Sequence, residues 1–352
     1  MNKSLSIFLP IVFVAFASSH FGCKNGGINP PELPQGVDTT SHDFTWRIDT
    51  IGAQGVLYDV AIVDENQIWA VGEIYLRDST GIVDPTAYSV AVWNGSRWQL
   101  KRLYYSTTNI IAPIRGVLNL AANDIWLAAG SIFHWDGSSA EAQLSFSRLN
   151  LPDPNATVEK LWGASGSFIY AVGNAGTMVY FSGSSWQKIE TGTNIALTDA
   201  WGIPAVGSQN ELVIAVGSDL INGTNHHVFA VTPTGVKDTL AWTMDKTPFG
   251  IWFANGSTVY ISGNGLWKYK NSSWSEISSF NFVNHVRGTG DNNVFAAGSF
   301  AFITHYNGST WKEYPQLQMS NVVLRGLAVH SKVVVAVGDA ADIPIVIRGY
   351  PL

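Results

Sequence analysis

The chain reads as an all-β, seven-bladed β-propeller, and three observations predict it. A unit of strand, small residues, glycine, strand and hairpin turn recurs along the sequence. The composition is that of a closed β-structure. An orphan strand near the N-terminus matches a strand missing from the last unit. Repeats of this length built from short strands and turns mark a propeller or β-solenoid.

The repeat is plainest in Leu161–Gly173 followed by Val179–Trp186, in Ile251–Gly263 followed by Leu266–Trp274, and in Arg287–Gly298 followed by Ile303–Trp311. Its strand ends as Ile68-Trp-Ala-Val-Gly72, Ile125-Trp-Leu-Ala-Ala129, Ile169-Tyr-Ala-Val-Gly173, Val213-Ile-Ala-Val-Gly217, Val259-Tyr-Ile-Ser-Gly263, Val294-Phe-Ala-Ala-Gly298 and Val334-Val-Ala-Val-Gly338, which makes seven copies. Large and small residues alternate in each with the period of a strand. The alanines and glycine are expected to let neighbouring sheets approach closely. Asx-rich turns such as Asp64–Gln67 and Asp291–Asn293 precede the strand. Asn94-Gly95, Asp136-Gly137 and Asn307-Gly308 follow as two-residue hairpin signals. A final strand beginning at Trp98, Trp186, Trp274 or Trp311 is expected to form the outer edge of its blade.

Closure gives an independent test. The seventh unit, Val323 to Arg348, holds three strands and lacks the Trp strand, while Phe44–Ile51 has no partner of its own. An N-terminal strand completing the last blade removes two open sheet edges. The fourth unit is the least regular, through Gly202–Asn210 and Val231–Thr247, and the insertion Tyr75–Tyr88 is expected to project from one face.

Only 13% of the 352 residues are charged, with 34 glycines and 14 tryptophans. That suits hairpins and argues against a helical enzyme or a disordered chain. Net charge is −6 and no Lys/Arg run occurs, which excludes a nucleic-acid role on electrostatic grounds. Residues 1–22 read as a signal peptide: Lys3, then the apolar run Ile7–Ala17, too short to span a bilayer. Cys23, the single cysteine, stands where bacterial lipoproteins carry their lipidated cysteine, although His20 replaces the usual leucine-like residue. The expectation is export and anchoring through Cys23, ordinary cleavage and secretion being the alternative. Residues 23–42, rich in Pro, Gly and polar groups, read as a flexible tether, and residues 43–352 as the propeller.

Candidate chemistry is sparse. No nucleophile elbow, phosphate loop or zinc-protease motif occurs. His134 and His305 share a blade position but belong to different blades, so neither a metal site nor a cofactor is expected. The Asn-X-Ser/Thr sequons coincide largely with hairpin turns. One constellation stands out: Ile114-Arg115-Gly, Val286-Arg287-Gly and Leu324-Arg325-Gly place an arginine at the entry to three innermost strands, with Tyr58, Asp59, Glu159 and Asp199 at nearby positions. Guanidinium forks suit an anion. The alternative is that each arginine pairs with a neighbouring carboxylate.

The Ile68-Trp-Ala-Val-Gly72 strands and Asn-Gly-Ser-Thr-Trp311 turns resemble exported bacterial propellers of the YVTN/WD40-like and BNR/Asp-box group. The hairpins lack the Asp-box aspartate. The seven-bladed photosystem II assembly factors are similar in blade count and in an arginine-lined face. Export, a tether and the absence of any catalytic motif point to a monomeric, non-catalytic envelope module binding protein or glycan through a propeller face. Two alternatives are an assembly factor clamping a partner peptide at the channel mouth, and a sialidase-like enzyme. The enzyme would need the three arginines and a tyrosine–carboxylate pair in one pocket.

Overall fold

In the computed structural model, residues 38–205, 211–280 and 282–352 are described, and Asp38–Leu352 forms one compact unit. The expected signal peptide (1–22), Cys23 and the expected tether as far as residue 37 lie outside them. Seven four-stranded antiparallel sheets form the seven blades. Their inner strands are Gln54–Asp64, Gly116–Ala121, Thr157–Ser165, Ala196–Ile203, Pro248–Trp252, Val283–Gly290 and Val322–His330. The second strand of each blade is the glycine-ended one of the repeat, from Gln67–Tyr75 in blade one to Val333–Ala340 in blade seven.

That strand is apolar throughout because both of its faces are covered. In blade one, Trp69 and Val71 pack toward blade two, against Val117, Ile125 and Leu127. Ile68 and Ala70 point the other way, against Val333, Val335 and Val337 of blade seven. The glycine ending the strand has a different reason from the one the pattern suggested. A Cβ on Gly72, Gly173 or Gly338 would strike the carbonyl oxygen of Val56, Thr157 or Val323, each in the inner strand of its own sheet. The constraint comes from a bulge in that inner strand, not from the neighbouring blade.

The ring closes as the strand count requires. Phe44–Thr50 pairs antiparallel with Ile343–Pro351, from Phe44↔Pro351 to Thr50↔Ile345, as the outer strand of blade seven. Asp49 secures the seam. It accepts from Arg348 Nη2 at 2.7 Å within blade seven and from the Trp98 indole at 3.0 Å in blade one. Arg348 is 2% exposed and its guanidinium lies 3.7 Å from the centre of the Trp93 ring. The outer tryptophans bridge blades elsewhere too: Trp186 donates to Ser145 of blade two, and Trp274 to the Ala241 carbonyl beside blade four.

Two expectations need adjusting. Residues 38–42, assigned to the tether by composition, lie along blade six. The Thr40 amide donates to the Asn307 carbonyl at 3.0 Å, its hydroxyl to the Asn292 carbonyl, and His42 meets His305. Asx and backbone hydrogen bonds hold this stretch, which hydrophobicity does not register. The Tyr75–Tyr88 insertion keeps residues 77–82 exposed, bridged at Arg77↔Val83, but is pinned at its base, where Arg102 binds Asp84 at 2.6 Å and lies 4.0 Å from the centre of the Tyr88 ring.

Candidate functional site at the channel mouth

Six of the seven inner strands carry a bulge opposite the end of the glycine-ended strand. The register skips one residue between Leu57 and Asp59, Val158 and Lys160, Leu197 and Asp199, Pro248 and Gly250, Val283 and His285, and Leu324 and Gly326. In blade two the equivalent residue is Arg115, just before Gly116↔Ala128. A bulge turns one side chain out of the sheet. The seven so presented are Tyr58, Arg115, Glu159, Thr198, Phe249, Asn284 and Arg325, and all seven line a single cavity of about 670 Å³ at one end of the channel. Blades seven to three supply a charged arc (Arg325, Tyr58, Arg115, Glu159). Blades four to six supply a neutral one (Thr198, Phe249, Asn284), beside Leu197 and Leu220.

The register corrects the arginine constellation. Gly298 pairs with Val283 in blade six and Gly338 with Leu324 in blade seven, so Asn284 is the counterpart of Arg325. Arg287 stands three residues further along and is level with Ala328. It does not reach the mouth. It sits in the channel interior, where a second cavity of about 280 Å³ is lined in part by Asp59, Lys160, Trp201 and Arg287. There Arg287 makes a two-pronged bond to Asp199 (2.9 and 3.1 Å) and lies over Trp201. Asp199 is 2% exposed and also accepts the Ile251 and Ala200 amides. Burial works against the Arg287 charge, but Asp199 outweighs it and holds the guanidinium above its usual pKa. Asp59 plays the matching part in blade one: it accepts the Val117 amide at 3.1 Å and faces Lys160 Nζ at 3.1 Å. His285, fully enclosed, is pushed well below the usual imidazole range by burial and by Lys160 and Arg287.

The mouth arginines are differently placed. Arg115 Nε lies 3.2 Å from Glu159, and its guanidinium is 4.6 Å from the centre of the Tyr58 ring. Arg325 Nε donates to Asp339 at 2.8 Å. Their side chains are 43% and 39% exposed, and among the described residues their Nη atoms donate no hydrogen bond. Burial raises the Tyr58 phenol pKa, with Arg115 opposing. Tyr58, Arg115, Glu159 and Arg325 are therefore brought together, while Asp59, Asp199 and Arg287 form the layer beneath. Each arginine does have a carboxylate partner, as the alternative reading held, but only for Arg287 does pairing occupy the whole fork.

Sequence reasoning missed Thr198, Phe249 and Asn284. A signal existed: the mouth residue precedes the strand-ending small residue by a constant interval in five blades (58 to 72, 115 to 129, 159 to 173, 249 to 263, 284 to 298). Among the described residues no cluster of three or more His, Cys, Asp or Glu side chains is placed to hold a metal.

Fold and site together define a β-propeller repeat protein with one built cavity at the mouth of its ring. No protein-family model and no curated protein matches the chain. Among solved structures it is similar to one described as YCF48 bound to D1 peptide, at 15% identity and TM-score 0.64, covering 90% of this chain and 99% of that one. It is also similar to YCF48 from Cyanidioschyzon merolae (13%, TM-score 0.61, 87% and 98% covered) and to the WD40 β-propeller domain of Doa1 (10%, TM-score 0.61, 87% and 97%). At these identities the likeness shows the propeller fold alone.

Proposed function

We propose that the protein is a non-catalytic binding propeller whose mouth cavity seats a segment of a partner protein. One observation carries this reading: a single register position, used once per blade, delivers seven side chains of mixed chemistry to one cavity. A merely structural ring position would hold closely similar residues, as the strand end does with six glycines and Ala129. The charged arc offers the unused Nη groups of Arg115 and Arg325, and the neutral arc offers Phe249 and Leu220 to an apolar side chain. That pairing suits an extended peptide better than a glycan. The similar YCF48 structure is described with a D1 peptide, which agrees with a peptide-sized ligand for such a ring. The sialidase-like alternative loses its arginine triad, since Arg287 is engaged by Asp199 below the mouth.

The setting belongs to the same proposal: an exported protein, anchored through Cys23 or secreted. The chain joins the ring at Asp38, beside Asn292 and Gly308 on the face opposite the mouth. The test places a photo-crosslinking residue at Phe249 and, separately, at Val236 on the opposite face. A partner polypeptide should crosslink from position 249 and not from 236, and an Arg115→Ala/Arg325→Ala background should reduce that product at least tenfold. Equal crosslinking from both faces, or a yield indifferent to the arginines, overturns the reading.

A further inference from the structure

We propose that the His42–His305 pair is an acid-sensitive latch holding the N-terminal strap, and with it the ring-closing strand, against blade six. The strap (residues 38–43) leads directly into Phe44–Thr50, so whatever holds it protects the only outer strand supplied from the far end of the chain. Its anchor is a chain of polar contacts. His42 Nδ1 lies 3.0 Å from His305 Nδ1, His42 Nε2 lies 3.1 Å from the Thr310 hydroxyl, and His305 Nε2 lies 3.1 Å from Asn293 Oδ1. With both rings neutral and the Asn293 oxygen accepting, one proton arrangement satisfies all three. Thr310 donates to His42 Nε2, His42 Nδ1–H donates to His305 Nδ1, and His305 Nε2–H donates to Asn293.

That arrangement requires a neutral His305. The ring is fully buried, stacked 4.2 Å from Phe295, with Phe44 edge-on at 5.5 Å. A change of tautomer at His42 would keep the hydrogen bonds after a proton is added at His305 Nδ1, but the charge would then lie buried among aromatic rings. The charged groups facing the pair do not offset this. Lys312, on the outer strand of blade six, opposes protonation of both rings, and Asp43, on the strap, favours it only at His42. Tyr314, whose hydroxyl donates to the His42 carbonyl at 2.9 Å, is pushed above its usual pKa by burial and stays neutral.

The sign follows from linkage. Burial, then His42 and Lys312, lower His305 to about 3, and burial and Lys312 lower His42. Once the strap lifts, both rings meet water and return toward 6.5. The open state therefore binds more protons, so the latch is fully engaged above pH 6.5 and weakens as pH falls toward 3. For one proton at His305, the opening constant rises by roughly 70-fold between pH 6 and pH 4.

The experiment is amide hydrogen exchange on the full chain between pH 7 and pH 4, corrected for intrinsic exchange. Reporters are the Thr40 amide, bonded to Asn307, and the Leu352 amide, bonded to the Asp43 carbonyl. Both should lose protection steeply below pH 6 while blade-three amides such as Val158 hold theirs, and His305→Gln should flatten the strap response. A strap whose protection follows the rest of the ring, or a His305→Gln protein with the wild-type slope, overturns the latch. Should that variant fail to fold, direct titration of the His305 ring in the wild-type protein decides: a midpoint below 4 supports the latch, and one near 6.5 overturns it.

Discussion

The two faces of the ring are built from the same seven repeats and have diverged. The face opposite the mouth carries the turns between first and second strands and between third and fourth. Asx side chains close turn after turn there in the same way. Asn94 Oδ1 accepts the Ser96 and Arg97 amides, Asp136 Oδ1 those of Ser138 and Ser139, and Asn307 Oδ1 those of Ser309 and Thr310. The mouth face has no such uniformity. Its bulge residues run Tyr, Arg, Glu, Thr, Phe, Asn, Arg, and its connections carry the exposed Ile82, Tyr105, Leu149, Leu220, Ile221, Phe282, Phe300 and Ile343, against Val236 and Leu352 on the other face. Where a side chain serves the fold, the repeat keeps its type. Where it faces the cavity, type is free to vary, and that freedom marks the surface on which a ligand would act.

Substitutions should separate these roles. The largest effect is expected below the mouth: Asp199→Asn leaves Arg287 buried without its counter-charge and should cost about 3–5 kcal/mol in denaturant unfolding. Gly173→Ala drives a Cβ into the Thr157 carbonyl and should cost about 3 kcal/mol, with the loss centred on blade three in hydrogen exchange. Trp186→Phe keeps the packing but forfeits the indole bond to Ser145, about 1 kcal/mol by thermal unfolding. Arg115→Ala, at the mouth, should stay within about 1 kcal/mol of wild type while weakening partner crosslinking. A mouth substitution as damaging as Asp199→Asn would mean that the cavity is part of the scaffold, and the contrast between the faces would fail.

Why the two arginine classes were not separable in the sequence is instructive. Arg115-Gly116, Arg287-Gly288 and Arg325-Gly326 look alike, yet Gly116 and Gly326 face the neighbouring blade's backbone, near Glu159 and Tyr58, while Gly288 lies against Trp252. The tripeptide does not set the register. The bulge does, and it becomes visible only when strands pair. The strap on blade six was illegible for a related reason, since its hydrogen bonds join residues more than 250 positions apart.

Alternation of large and small residues, seven strands ending in a small residue, and one orphan strand for one vacancy were enough to determine blade count and closure, because strand formation and turn chemistry are local properties of the chain. Which side chains meet at the mouth, which arginine is spent on Asp199, and which histidines touch were decided by tertiary structure alone. Those outcomes depend on how a bulge rotates one residue per strand, and on contacts between segments that only the closed ring brings together.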